Sequence, residues 1–181
     1  MLLSPAALAA DLAVRDLTDP AHGHHAMQLL VDDVVRALAT AWHCPVELVR
    51  THPVTSLDDN YDRLGYPPDA VARDARYSRY VSETCVLRTH TSAVIPYALR
   101  IKADGEVLLA CPGIVYRRDS IDRLHTGTPH QLDLWRVTRS SPRREDLPEM
   151  ISVVIEAPLP GAEPRVLPAV PPHPVHAQHL E

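Results

Sequence analysis

Two polar clusters between residues 88 and 133 hold the side chains best placed for chemistry. Residues 114–119 read Ile-Val-Tyr-Arg-Arg-Asp, a strand-like run in which successive side chains alternate faces. Val115, Arg117 and Asp119 therefore share one side, and Ile114, Tyr116 and Arg118 the other. In residues 130–137, His-Gln-Leu-Asp-Leu-Trp-Arg-Val, the same period sets Gln131 and Asp133 on one face and Leu132 and Leu134 on the core-seeking face. Residues 120–128 between these runs are polar, contain Gly127 and lack a period, so the spacing predicts a hairpin with a long loop. Such a hairpin turns one guanidinium and two acceptor side chains toward one surface. A guanidinium forks onto phosphate oxygens and neutralises charge developing at phosphorus, while Asp133 with Gln131 can hold a substrate ammonium. That combination suits an amino acid lying beside a triphosphate. Taken singly, Arg117 reads as a surface strand arginine and Gln131 and Asp133 as solvent-facing residues; the register of the latter two with Leu132 and Leu134 aims them at a common site, and the full ordered pattern favours phosphate contact for Arg117.

The same residues carry a family pattern. Arg117, Arg118 and Asp119 match an arginine, a residue and an acid on the first strand of a motif 2 hairpin. Asp122, Arg123, Leu124 and His125 match Asp-x-x-His in its loop, and Pro129, His130, Gln131, Leu132 and Asp133 match the returning Phe-His-Gln-x-Glu without a gap. Upstream, Arg88, Thr89, His90, Thr91 and Ser92 reproduce Arg-Thr-His-Thr-Ser. Asn60, Tyr61, Asp62, Arg63 and Leu64 are similar to Asn-Phe-Asp-x-Leu, and Ala72, Arg73 and Asp74 to an Ala-Arg-Asp stretch. Through these motifs residues 20–175 resemble the phenylalanyl-tRNA synthetase α subunit, a class II aminoacyl-tRNA synthetase. The resemblance implies that Arg117 contacts the α-phosphate, that Asp119 and His125 help bind ATP, and that His90, Ser92, Gln131 and Asp133 bind the amino acid. It implies an ATP-dependent ligase that forms an aminoacyl adenylate for transfer to tRNA, with ATP and Mg²⁺ as cofactors. Two other readings stay open: an amino-acid ligase with a non-tRNA acceptor, and an inactive synthetase-like binding or regulatory domain. His90 also reads as a core histidine, and Ser92 as the N-cap of the helix after it.

The chain departs from the family in four places. Pro129 stands where the family has a phenylalanine that stacks on adenine, and the sequence contains no phenylalanine. Asp133 is one methylene shorter than the usual glutamate, and Leu134 replaces a glycine, so a reshaped amino-acid pocket is expected. The glycine-rich strand and helix of motif 3, with its second arginine, have no counterpart. A C-terminally incomplete relative is therefore expected.

The expected fold class is α+β, an antiparallel sheet flanked by helices as in a class II synthetase core. Three parts are expected: an N-terminal helix over residues 1–18, the partial core over 19–175, and a tail over 176–181 whose last two residues fit a tag remnant. Ser4 and Pro5 cap the first helix, which is expected to end near Thr18. A second is expected from Asp19-Pro20, with Met27, Leu30, Val31, Val34, Leu38 and Trp42 at helical spacing. A strand over residues 46–54 comes next, and the helix–strand pair resembles motif 1. A homodimer or hetero-oligomer through the helix at 24–42 is therefore expected. Residues 55–80 read as loop. A short helix over 93–102, a strand over 107–111 and a helix over 145–155 complete the core, and the proline-dense residues 158–174 read as strand and loop.

Composition narrows the partners. The 181 residues are 45% hydrophobic, enough for one sizeable core. With a net charge of −5 there is no basic footprint for free nucleic acid. Cys44, Cys85 and Cys111 form an odd set without CxxC spacing, which reads as reduced thiols in a cytoplasmic protein. No signal peptide or long apolar run suggests a membrane partner. His22, His24 and His25 lack a carboxylate at ligand spacing, and His125 and His130 fit a hairpin better than zinc, so no protein-ligated metal is expected.

Overall fold

The computed structural model describes residues 2–101, 105–118, 121–123, 125–141, 143 and 145–163. Its centre is strand β4 (Val107–Ile114), all of whose residues are buried. Strand β5 (His130–Val137) pairs with it antiparallel, and β1 (Val46–Leu48) pairs on the other side, parallel. The α+β class expected from the sequence is thus present, with one parallel pairing in the sheet. That pairing results from chain path, because β1 and β4 are joined by a long crossover and not by a turn. Strands β2 (Val54–Ser56) and β3 (Cys85–Leu87) form a separate antiparallel pair.

The alternation read from the sequence sorts the core into two layers. Val107, Leu109 and Cys111 of β4, with Trp135 and Val137 of β5, face Val94, Ile95 and Ala98. These last belong to a 3-10 turn (Thr91–Val94) and the helix α4 (Ile95–Ile101) that continues it. On the opposite face Leu108, Leu132 and Leu134 meet Val34 and Leu38 of α2 (Ala26–Trp42) and Met150, Val153 and Val154 of α5 (Asp146–Glu156). Those fully buried among them, such as Leu38, Leu108 and Leu109, contribute about 1.5–3 kcal/mol each of transfer free energy. No helix among the described residues is long and apolar enough to cross a membrane.

Several element boundaries differ from the sequence reading. Helix α1 runs from Pro5 to Leu12 with Ser4 capping the Ala7 amide, and stops short of Thr18. Asp16 is incompatible with its extension to Thr18: the carboxylate accepts from Thr18 N and Oγ1 at 2.9 and 2.7 Å and from Ile114 N at 3.1 Å, a non-helical arrangement. Asp19 caps only a 3-10 turn (Pro20–His22), and Gly23, at φ 94°, separates it from α2. Within α2, Leu30 is 43% exposed and so lies off the buried stripe. The strand expected over 46–54 is two strands in two sheets. After Val49 the chain turns away, anchored by Arg50, which donates to Thr18 Oγ1 and to its carbonyl.

Strand β4 also runs through Pro112, where the sequence reading stopped it at Cys111. Proline lacks an amide hydrogen and is excluded from a strand paired on both sides. Even-numbered β4 residues donate away from β5, as Leu108 N does to Pro45 O, and the β1 pairing ends at Ala110. Pro112 therefore falls where no partner strand remains to accept.

Beside it, Gly113 admits the buried Arg88. A Cβ at position 113 would stand 2.2 Å from one of its terminal nitrogens. Burial alone pushes the Asp16 carboxyl up, but its bonds from the Thr18 hydroxyl and the Thr18 and Ile114 amides outweigh this and hold it below the ordinary carboxylate range. Because the folded value lies below the unfolded one, this stabilisation is complete above pH ~4 and is lost as acid titrates through the folded value.

Two outcomes are expected. Gly113→Ala should destabilise the chain by about 2–3 kcal/mol in urea titration, since the methyl overpacks against a buried charged group; a change below about 0.5 kcal/mol would show that Arg88 yields freely. Burial, with the nearby Asp133 charge, pushes the Cys111 thiol up to about 12, and burial also raises Cys44. Iodoacetamide at pH 8 should modify Cys85 in the native protein and reach Cys44 and Cys111 only after unfolding, as read by peptide mass mapping.

Candidate functional site

The hairpin extends beyond the last β4 residue. Val115 N donates to Pro129 O and Arg117 N to Gly127 O, both at 2.9 Å, so the antiparallel pairing reaches Arg117. The intervening amides turn the other way: Ile114 N to Asp16 Oδ2 at 3.1 Å, and Tyr116 N to Arg88 O and Arg118 N to Tyr77 O at 2.9 Å. The segment carrying Arg117 is thus extended and held along both edges. Cys111 lies opposite Asp133 and Gly113 opposite Gln131, so strand alternation puts Arg117 on the same face as Gln131 and Asp133. Asp119 lies outside the described residues.

Arg117 and Gln131 both rest on residues 89–91. Arg117 Nε donates to Thr89 O at 2.9 Å, and Gln131 Oε1 accepts from Thr91 N at 3.2 Å. His90 lies between these contacts, buried and stacked on the Tyr66 ring at 5.8 Å and 18°. Tyr66 meets Tyr61 edge-on at 5.8 Å. Burial pushes the Tyr66 hydroxyl up to about 12 while the nearby Arg117 charge pulls it down. Ser92 is buried inside the 3-10 turn, whose capping position is occupied by His90, so it is not the N-cap expected from the sequence.

Asp133 is held from one side. Its Oδ1 accepts from Trp135 Nε1 at 3.1 Å, whereas its Oδ2 is buried without a hydrogen-bond partner among the described residues. A carboxylate oxygen kept from water and left without a donor is costly, and a cationic donor would offset that cost. His125 is not drawn into this cluster by the contacts described. Its ring bonds to Asp122 at 2.9 and 3.0 Å, its amide to Asp122 Oδ1, and the pair is exposed in its own loop. His130 is tied elsewhere too: Nε2 accepts from Leu17 N at 2.9 Å. That nitrogen carries no proton in this arrangement, so its 3.7 Å approach to Asp16 is no ion pair.

Three residues without a role in the sequence reading support the site. Asn60 grips Thr89 through both ends of its amide, Nδ2 to Thr89 Oγ1 at 3.0 Å and Thr89 N to Oδ1 at 3.2 Å. The Asn-Tyr-Asp-Arg-Leu match pointed at Asn60 without indicating what it holds. Tyr66 and Arg79, the latter bonded to the Arg117 carbonyl, carried no local signal. Among the described residues no three His, Cys, Asp or Glu side chains are grouped to hold a metal ion. His22 and His25 instead accept backbone amides, from Asp16 and Met27.

Comparison with known proteins agrees with this architecture. Residues 10–157 match the family described as tRNA synthetases class II core domain (F). The phenylalanine–tRNA ligase α subunit of Heliobacterium modesticaldum is 33% identical over 125 residues, covering 68% of this chain and 35% of that protein. That of Macrococcus caseolyticus is 42% identical over 81 residues, covering 44% of this chain and 23% of that one. The chain thus spans between about a quarter and a third of these relatives' length. Among solved structures, a pyrrolysyl-tRNA synthetase from Desulfitobacterium hafniense superposes with a TM-score of 0.54 at 18% identity, over 73% of this chain and 46% of that one, which speaks for the fold. With a core sheet of this form and a family match over most of its length, the chain belongs to the class II tRNA synthetase core family.

Proposed function

We propose that the chain forms the amino-acid-activating part of an ATP-dependent ligase of the phenylalanyl-tRNA synthetase type. A carboxylate oxygen of the amino acid bonds to the α-phosphorus of ATP, the bond to the β-phosphate oxygen breaks, pyrophosphate leaves, and an aminoacyl adenylate remains for transfer to tRNA. The observation that carries this reading is the buried, unpartnered Oδ2 of Asp133 on the hairpin face that also bears Arg117 and Gln131. A substrate ammonium is the donor that would fill it. Gln131 adds a second polar group, and His90 and Ser92 line the adjoining wall. Arg117, held through Nε by Thr89, would put its positive charge against the α-phosphate and the charge that develops there. Asp119 and His125 are assigned to the ATP side by resemblance, and Mg²⁺ would enter with the triphosphate. The expected partners are an amino acid, ATP, tRNA and a further subunit meeting α2, where Leu29 and Leu30 are exposed. A cytoplasmic location goes with this reading. With the short Asp133 and Trp135 on its face, the amino acid need not be phenylalanine.

Amino-acid-dependent exchange of labelled pyrophosphate into ATP tests the proposal, and absence of exchange with every amino acid would overturn it. Arg117→Ala should lower kcat by about 10²–10³-fold, as loss of one oriented charge donor does elsewhere. Asp133→Asn should instead raise the KM for the amino acid while leaving that for ATP within about twofold, because it removes a charge that meets the ammonium alone.

A further inference from the structure

Arg79 is half-buried, and its guanidinium is divided among three acceptors on two elements. One terminal nitrogen donates to Asp11 Oδ1 of α1 at 2.6 Å. The other donates to the Arg117 carbonyl at 2.8 Å and to the Gly127 carbonyl at 3.1 Å. Those carbonyls belong to facing arms of the hairpin, since Gly127 O also accepts the Arg117 amide. Arg79 thus joins both arms at the level of Arg117 and ties them to the N-terminal helix. Gly127 is fitted to this arrangement: a Cβ there would stand 2.8 Å from the Arg79 nitrogen and 3.2 Å from the Arg117 oxygen. Helix α1 is itself anchored, with Leu3, Leu8 and Leu12 packed on Leu87, Ile114 and Tyr116.

We propose that Arg79 is a positioning residue for Arg117, clamping the hairpin backbone while Asp11 neutralises its charge. The consequence for catalysis rests on the ligase reading of the site. Arg117 is then fixed twice, its side chain by Thr89 and its backbone by Arg79. A reacting group displaced by about 1 Å loses rate on the order of 10²-fold, so the second fixation is a kinetic matter as well as a structural one. Lysine cannot replace it, because one ammonium does not reproduce a planar fork that reaches a carboxylate on one side and two carbonyls on the other.

The test uses the full chain with Arg79→Met, Arg79→Lys and Asp11→Asn, read by backbone amide hydrogen exchange and by pyrophosphate exchange kinetics. Protection of the Arg117 amide is expected to fall by about tenfold or more in both Arg79 variants, while Leu109 and Cys111 within the β4–β5 ladder keep theirs. The same variants should lose about tenfold or more in kcat with the amino-acid KM changed by less than about twofold. Asp11→Asn should move the same quantities in the same direction by a smaller factor. Unchanged Arg117 protection in Arg79→Met, or a uniform loss throughout β4 and β5, would overturn the clamp. If the unaltered chain exchanges no pyrophosphate with any amino acid, the ligase reading fails, and amide protection alone decides the clamp.

Discussion

Arg88 is 3% exposed, and its contacts decide where the rest of the site can be. Its Nε donates to the Ile114 carbonyl at 2.8 Å, a terminal nitrogen donates to the Thr51 carbonyl at 3.2 Å, and the Asp16 carboxylate stands 3.9 Å away. Its own carbonyl accepts the Tyr116 amide. One residue therefore connects the end of β3, the central strand, the segment leaving β1 and the loop after α1. Placing a cation there costs several kcal/mol in desolvation, which burial expresses by pulling its proton affinity down while Asp16 pulls it back. The cost is tolerable because its donors meet fixed acceptors and Gly113 leaves the space. The Thr89–Ser92 wall, on which Arg117 and Gln131 rest, begins at the very next residue, so the buried ion sets the origin from which the site is built.

The site face itself was legible because it depends on a period of two. Arg117, Gln131 and Asp133 lie on one face of the hairpin as alternation requires, and Leu132 and Leu134 point to α2 and α5. Boundaries set by distant contacts were not legible. Nothing local in residues 13–18 reveals that Asp16 will turn to the Ile114 amide, nor in residues 46–54 that the chain will change sheets after Val49. Pro112 read as a strand end because the sequence does not show that the β1 pairing stops two residues earlier, at Ala110. Leu30 fitted the helical stripe by spacing, but spacing cannot say how wide a stripe the neighbouring sheet and α5 will cover. His125 carried a motif match as strong as the others, and its ring bonds to Asp122.

The site wall is made from short turns, and polar networks add to the order that its buried Tyr61 and Leu64 supply. Residues 57–80 contain helix α3 (Leu57–Asn60) and 3-10 turns at Asp62–Leu64 and Val71–Arg73, with no long element among them. Tyr61 Oη and Ser78 Oγ bond to each other and both reach the Ala72 carbonyl, and Arg73 covers the Tyr61 ring while pairing with Asp62. Asn60 then passes this order to Thr89. Arg73 Nε stays buried without a partner among the described residues, so the order of the wall rests on the Tyr61–Ser78–Ala72 and Asn60–Thr89 bonds.

Asp133 shows how this chain's departures from the family pattern support one another. Shortening glutamate by a methylene withdraws the carboxylate toward the sheet, where a residue two positions along the same strand shares its face. That residue is Trp135, whose indole N–H donates to Asp133 Oδ1 and whose ring packs against the layer of Val94, Ile95 and Ala98. A glycine at 134 would have weakened the strand at this point, whereas Leu134 adds to the core beneath it. The result is a carboxylate oriented by an aromatic donor on a strand whose other face Leu134 packs into the core. Under the proposed function, such a site would keep the charge that a substrate ammonium requires.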